Sequence, residues 1–262
     1  MGKVTIEVPI ESGTLEMVRD AVLFSGEYWW MFYVCLVGFS FCNSRTILGA
    51  VPNINYFHGC AFMVLANYGG STLAMIMMSK PVVFVVNEAL VPVALICFTI
   101  AWLERNNRVV NKFLADTSIG AIFSSITYEI MRCHVAMGCS AAAAASLPSL
   151  LPGGSSSRVA IVGPLIAGVL GGCGGAFMPL DKGLAPLANG TNWRIGSAAL
   201  NSAWLFLSMQ YPSSKAAIGL DAPWARFCAI CILVVPPLLQ MATGFAPLGA
   251  NPLVAGPKSK KA

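Results

Sequence analysis

The stretch Leu65-Ala-Asn-Tyr-Gly-Gly-Ser-Thr-Leu-Ala74 lies inside a long apolar run. Its two adjacent glycines, Gly69 and Gly70, each cost a helix about 1 kcal/mol relative to alanine, but inside a bilayer they permit a kink or a close approach between helices. A second glycine-rich stretch, Gly168-Val-Leu-Gly-Gly-Cys-Gly-Gly-Ala-Phe-Met178, follows later, and an Ala-Trp-Leu triplet follows each cluster. Glycine-broken helices at corresponding places predict an internal repeat around a polar path. The alternative is ordinary close packing in a membrane bundle.

The composition is typical of an integral membrane protein. Of the 262 residues, 56% are hydrophobic and 10% are charged, whereas soluble domains carry about 25% charged residues. The net charge of +5 is spread over loops and the C-terminal tail, which argues against nucleic-acid binding. Cys228 and Cys231 form a C-x-x-C on an apolar segment, which we expect to be buried free thiols, and no metal site or cofactor is predicted.

The hydropathy pattern predicts an all-α integral membrane protein with seven transmembrane helices, arranged as two inverted three-helix repeats plus one C-terminal helix. The expected spans are 28–48, 57–78, 82–103, 113–138, 159–178, 195–211 and 224–245. Residues 1–27 form a polar interfacial segment with an amphipathic helix over 14–24. The first repeat is 28–110, and the second is 111–211 with a low-complexity linker at 139–157. The segment of the seventh helix is 212–246, in which 212–223 is a connecting loop before the span, and a basic tail follows at 247–262.

The distribution of Lys and Arg places the C-terminus in the cytosol and the N-terminus in the lumen. Lys258 and Lys260 have the spacing of a dilysine signal for retrieval to the endoplasmic reticulum, or are an accidental basic end. The sequon Asn189-Gly-Thr191 would then lie in the cytosol and stay unmodified. We therefore expect a multi-pass protein of the endoplasmic or sarcoplasmic reticulum, or of another organelle membrane.

Span 4 carries the strongest polar stripe. Residues that recur every four positions lie on one face of a helix. In span 4 this face presents Asp116, Gly120, Ser124, Tyr128 and Arg132, with Glu129 beside them. An ionisable group in a membrane costs a few kcal/mol or more unless it is paired or hydrated. The pattern predicts a water-filled ion path that these side chains line or gate, with Arg132 sensing the membrane potential. The alternative is a Glu129–Arg132 pair at i,i+3 that only stabilises packing.

Other polar residues of the spans are expected to shape the path or to join helices. Asn67 is predicted to line the pore or to make a helix contact, and the helix-shaping glycines are Gly69, Gly70, Gly172, Gly174 and Gly175. Asn201, Ser202 and Ser208 suit interhelical hydrogen bonds. The chain contains none of the common catalytic motifs, so enzymatic activity is not expected.

Four short motifs occur in an order that resembles a known family, the trimeric intracellular cation channels. His58 stands at the head of span 2, and Tyr68-Gly-Gly-Ser-Thr-Leu-Ala74 matches the aromatic-Gly-Gly/Ser-x-Leu-Ala kink of that family. Gly172-Cys-Gly-Gly-Ala-Phe-Met178 is similar to its Gly-x-Gly-x-Ala-x-Met stretch in span 5. Tyr128-Glu-Ile-Met-Arg132 is similar to its Lys-Glu-Val-x-Arg pattern in span 4.

The resemblance implies a homotrimer with one hydrophilic pore per protomer, between kinked helices 2 and 5. It implies conduction of monovalent cations, mainly potassium, that balances charge during calcium release from the reticulum. It also implies a phosphoinositide near the basic residues of span 4. Because Tyr128 and Gly171 stand where the family has lysine, Arg132 is left as the candidate lipid contact, and we expect weak phosphoinositide binding and weak voltage dependence.

The residues are also compatible with two other functions. One is a secondary transporter built on the same inverted repeat. The other is a non-conducting structural subunit of a larger membrane complex, for which the missing lysines and the Ala/Gly/Ser linker would be expected.

Overall fold

The computed structural model describes residues 12–104, 118–146, 161–173 and 193–248. Within these ranges every regular element is helical. The helices are α1 Ser12–Val22, α2 Met31–Ala50, α3 Tyr56–Met77, α4 Val83–Val86, α5 Leu90–Leu103, α6 Ser118–Ser146, α7 Val162–Cys173, α8 Trp193–Leu205, α9 Pro212–Ile218 and α10 Ala222–Thr243. A 3₁₀ turn at Gly26–Tyr28 precedes α2, and a π-helical turn at Phe206–Gln210 extends α8.

Three of the described helices, α2, α3 and α10, are long and apolar enough to cross a membrane by length and composition. The helices α5 and α7 are apolar but shorter. The all-helical fold is confirmed, and it is compatible with the membrane protein that the sequence predicts. The crossing of a membrane by seven helices stays a prediction.

The helix α6 is the centre of the molecule, because it packs against α2, α3, α7, α8 and α10. It runs antiparallel to α2. The rings of Phe39 and Tyr128 lie 5.1 Å apart, and further along α2 the thiol of Cys42 donates to the backbone carbonyl of Ser124 at 3.4 Å. Residues later in α2 therefore contact residues earlier in α6.

The helix α7 lies in the cleft between α6 and α8, where glycine is required. A methyl group on Gly168 would lie 2.6 Å from Ser202 Oγ, and one on Gly172 would lie 3.0 Å from Ala198 Cβ. These two contacts also show that α7 and α8 are antiparallel. Because Cβ atoms are rarely found so close to other atoms, the absence of a side chain is what allows the helices to approach.

The predicted break in span 2 is absent, and span 3 is interrupted instead. The helix α3 continues without a break through Gly69 and Gly70. In span 3, α4 ends at Val86 and α5 begins at Leu90, and Asn87 Oδ1 accepts a hydrogen bond from the Ala89 N–H at 3.2 Å between them. An asparagine side chain that accepts a hydrogen bond from a nearby backbone N–H competes with the helical hydrogen bonds. Asn87 is therefore a stronger local signal for a helix interruption than a buried glycine pair.

Two segments predicted as connections are helical in part. The predicted linker begins at residue 139, but α6 continues to Ser146, in keeping with the high helix propensity of its alanines and the burial of Ala143. Residues 147–157 of the linker lie outside the described residues. The segment after Tyr211 contains α9, which begins at a proline and is followed by Gly219 with a φ of +67°.

The predicted amphipathic N-terminal helix is present as α1, and it packs on the start of α10. The guanidinium of Arg19 lies over the ring of Trp224 at 4.9 Å. At the end of α1, the backbone carbonyl of Val22 lies 2.8 Å from His134 Nε2, and the ring of Phe24 stacks on the same imidazole at 4.2 Å. The end of α1 and the turn after it therefore contact the central helix of the bundle through His134.

Candidate functional site

An ion pair is buried at the midpoint of α6. Arg132 Nη1 donates to Glu129 Oε2 at 2.6 Å, and the two side chains are 1% and 0% exposed. Arg132 Nε donates to the carbonyl of Gly172 in α7 at 2.7 Å. Its Nη2 donates to the carbonyl of Arg194 at 2.8 Å and to Ser197 Oγ at 3.1 Å, both in α8. This guanidinium cluster joins three helices through one side chain.

Two aromatic rings cover the guanidinium cluster. The guanidinium of Arg132 lies 4.6 Å from the ring centre of Trp193 and 5.8 Å from that of Tyr128. The guanidinium of Arg194 lies 5.5 Å from the same Tyr128 ring. Cations are attracted to aromatic faces at such distances. The buried charge of Arg132 is therefore compensated by a carboxylate, three further oxygen acceptors and two rings, as a charge removed from water requires.

A neutral cluster lies between α2 and α3. Asn43 Nδ2 donates to Asn67 Oδ1 at 2.7 Å, and Asn67 Nδ2 donates to Ser40 Oγ at 3.1 Å. All three residues are buried. We call this group the amide cluster. Asn67 makes a helix contact there, which is one of the two roles that the sequence left open for it.

Three buried oxygen atoms of α6 have no hydrogen-bond partner in the part of the chain that the structure describes. They are Ser124 Oγ, Ser125 Oγ and Glu129 Oε1. Ser125 and Glu129 are one turn apart, so they share a helix face. A buried polar group without a partner costs about 1–3 kcal/mol, and a charged group costs more. These oxygens are therefore the acceptors of α6 that still lack a donor among the described residues.

Three of the glycines predicted to shape the pore, Gly69, Gly70 and Gly172, are buried in two helices that pack against each other. Gly69 and Gly70 are buried in α3, which packs against α7. Gly172 is buried in α7, and its carbonyl accepts the hydrogen bond from Arg132. The two glycine-rich helices thus meet each other at the centre of the bundle.

Several sequence predictions lie outside the described residues. They concern Asp116 in the polar stripe, Gly174 and Gly175 in the second glycine cluster, the sequon at Asn189, and the dilysine spacing of Lys258 and Lys260. The other stripe residues, Ser124, Tyr128, Glu129 and Arg132, are buried together in α6.

Sequence reasoning missed the partners of the two clusters. Ser40 and Asn43 carried a usable signal, because two polar side chains three residues apart in an apolar span face the same side of a helix. Ser197 and the backbone carbonyl of Arg194 carried no signal in the sequence, since they reach Arg132 only through the packing of α8 on α6. The suspected interhelical role of Asn201 is observed, because its Nδ2 lies 3.6 Å from Cys133 Sγ.

No protein-family model, curated protein or solved structure matches this chain. The resemblance to trimeric intracellular cation channels therefore rests on the four sequence motifs and stays a prediction.

Proposed function

We propose that this chain is a monovalent cation channel of an intracellular membrane, conducting mainly potassium as a counter-ion current for calcium release. The observation that carries the proposal is a group of three buried oxygens on the central helix that have no hydrogen-bond partner among the described residues: Ser124 Oγ, Ser125 Oγ and Glu129 Oε1. Oxygen atoms replace the hydration shell of potassium in channels, and a carboxylate attracts cations over anions. The choice of potassium, the intracellular membrane and a homotrimer with one pore per protomer come from the sequence resemblance.

The helix arrangement supports an inverted repeat around this path. In the first half, α2 packs on α5 and α3, and in the second half, α7 packs on α6 and α8. The helix α6, which begins the second half, runs antiparallel to α2, which begins the first. This is the relation expected when two three-helix repeats have opposite orientation in a membrane, with α10 as the additional helix.

In the conformation described, the proposed path would be closed at the ion pair. Glu129 and Arg132 are inaccessible to solvent, and a guanidinium beside the carboxylate repels a second cation. Opening would require Arg132 to leave Glu129 and to give up its bonds to α7 and α8. A charge that moves through the whole membrane field gains about 2.3 kcal/mol per 100 mV. A membrane potential could therefore bias this opening only modestly through one arginine.

The test is single-channel recording of the purified protein in a planar bilayer under a potassium gradient. We expect discrete potassium-selective openings. The variant Glu129→Gln keeps the shape of the side chain but removes the charge. We expect about a tenfold lower current, which corresponds to roughly 1.4 kcal/mol in the occupancy of the site. Glu27→Gln removes the same charge from an exposed residue before α2 and serves as the control that leaves the current unchanged.

A second function, a non-conducting structural subunit, is favoured by a different observation. All four of the hydrogen bonds of Arg132 described above are made within the bundle, and α3 passes its glycine pair without a break. A folded, inserted protein that passes no current would contradict the channel proposal. Stable co-purification with other membrane proteins would then support the structural subunit.

A further inference from the structure

A cavity of about 580 Å³ lies between α6, the π-helical turn, the start of α10 and Leu23. It is separate from the guanidinium cluster, with which it shares no residue. Its volume is within the range of about 300–1,000 Å³ that ligand pockets occupy. The cavity is therefore large enough for a ligand that the channel proposal does not use.

Three polar side chains lie along the wall and rim of the cavity: Ser140, Gln210 and Arg226. Gln210 Nε2 donates to Ser140 Oγ at 2.9 Å, and Gln210 Oε1 has no partner among the described residues. Arg226 is exposed at the rim, and the described part of the chain offers it no hydrogen bond or ion pair. The π-helical turn that ends at Gln210 brings this side chain to the wall, and such turns are frequent at functional sites.

The rest of the wall is mainly apolar and is made partly of small residues. Its apolar side chains are Leu23, Met137, Leu205 and Met209, and its small residues are Gly138, Ala141, Ala144 and Ala145. Gly138 leaves open space, because a Cβ built there has no atom within 4 Å. An acyl chain could therefore lie along this wall without a clash.

A second cavity of about 180 Å³ adjoins the first, since His134 and Gly138 line both. It is walled mostly by apolar side chains, and two of its polar groups are already paired. The Tyr68 hydroxyl donates to the Leu90 carbonyl at 2.7 Å, and Ser71 Oγ donates to the Tyr68 carbonyl at 2.9 Å. Because its lining is mostly apolar, this chamber suits the end of a hydrocarbon chain.

We propose that these two cavities bind one long-chain fatty acid. The carboxylate pairs with Arg226 at the rim and accepts a hydrogen bond from the Ser140 hydroxyl. The chain passes Met137 and Gly138 and ends in the smaller chamber. A single guanidinium matches the single charge of a carboxylate, and its fork of N–H donors fits two carboxylate oxygens. An anionic phosphate head with one acyl chain shares part of this chemistry, and the experiment separates the two.

The test is photolabelling of the full-length protein in lipid nanodiscs with an octadecanoic acid that carries a diazirine at its chain end. Labelled peptides are mapped by mass spectrometry, and oleate, oleyl alcohol and oleoyl phosphate compete with the probe. We expect the label on α6 near Met137 and on the adjoining chamber. Oleate should displace it at a concentration at least tenfold lower than oleyl alcohol or oleoyl phosphate requires.

Two variants and two controls test the assigned groups. Gly138→Leu fills the cavity, and Arg226→Gln removes the cation at its rim. Each should reduce the oleate-sensitive labelling at least tenfold. Gly49→Leu places the same side chain at another glycine with open space around its Cβ, and Lys215→Gln removes the same charge from the exposed α9. Both controls should label as the parent protein does.

Three results would overturn the inference. Label spread evenly over the outer helix faces, with equal yield in Gly138→Leu, would show that the cavities are not the site. Equal competition by oleyl alcohol, with Arg226→Gln unaffected, would refute the anionic head. Stronger competition by oleoyl phosphate would assign the site to a phosphate head instead of a carboxylate. None of these readouts depends on ion conduction.

Discussion

The two halves of the bundle hold their helices together with different chemistry. In the first half, the amide cluster joins α2 to α3 through neutral groups that bond each other. In the second half, the guanidinium cluster joins α6 to α7 and α8 through one buried cation. Both clusters are buried. Removal of a member of the neutral cluster breaks one or two neutral hydrogen bonds, whereas removal of one partner of the ion pair leaves a buried charge without its counter-charge.

This difference predicts which half is more sensitive to substitution. Removing one partner of a buried ion pair is strongly destabilising, because the remaining charge stays buried. Removing one member of a neutral pair leaves a smaller desolvation cost, and in membrane proteins such hydrogen bonds contribute modestly. The second half should therefore lose stability first, and the predictions below test that order.

The largest effect is expected for Arg132→Met. It leaves Glu129 with no partner at 0% exposure, and we expect the free energy of unfolding to fall by about 3–5 kcal/mol. The measurement is equilibrium unfolding in detergent, followed by tryptophan fluorescence. The double variant Glu129→Gln with Arg132→Met removes both charges, so it should recover most of the loss. A loss below about 1 kcal/mol in the single variant would mean that the pair contributes little in this bundle.

A smaller effect is expected where α7 meets α6. A methyl group on Gly171 would lie 2.8 Å from Cys139 Sγ and 3.1 Å from the backbone carbonyl of Val135. Since the backbone atom cannot turn aside, Gly171→Ala should lower the free energy of unfolding by about 1–3 kcal/mol. The matched control is Gly49→Ala near the end of α2, where a Cβ has open space. It should stabilise the protein by about 0.5–1 kcal/mol, and equal effects of both variants would contradict this account of α7.

The smallest effect is expected in the amide cluster. A double-mutant cycle with Asn43→Ala and Asn67→Ala isolates their hydrogen bond of 2.7 Å. We expect a coupling energy of about 0.6–1.7 kcal/mol from thermal or denaturant unfolding in the same detergent. Coupling above 3 kcal/mol would show that the neutral cluster is as critical as the charged one, and the contrast between the two halves would then fail.

The hydrophobic pattern of the sequence predicted the positions of most of the described helices. The amphipathic α1 and the apolar α2, α3 and α10 appear close to their predicted bounds, because apolar runs and amphipathic spacing are local properties of the sequence. The interruption of span 3 at Asn87 was missed, although an asparagine followed by Glu88 in an apolar run is a local signal. The glycine pair in α3 misled the interpretation, since glycine permits a break but does not require one.

The candidate site was predictable only in part. The stripe of Ser124, Tyr128 and Arg132 with Glu129 was visible, because side chains four residues apart share a helix face. The oxygens that surround Arg132 in the structure include two backbone carbonyls, of Gly172 and Arg194. Every residue has a carbonyl, so no pattern of residue types distinguishes those that become ligands of a buried cation.

The sequence by itself therefore determined an all-helical, apolar chain and the helix that carries its buried charges. The tertiary structure decided whether those charges face water or each other. That outcome depends on the register of α6 against α7 and α8, which glycines such as Gly168 and Gly172 set by allowing contacts too close for any side chain. Periodicity is local and can be read along one helix, whereas the fate of a buried charge depends on atoms that meet it from distant parts of the chain.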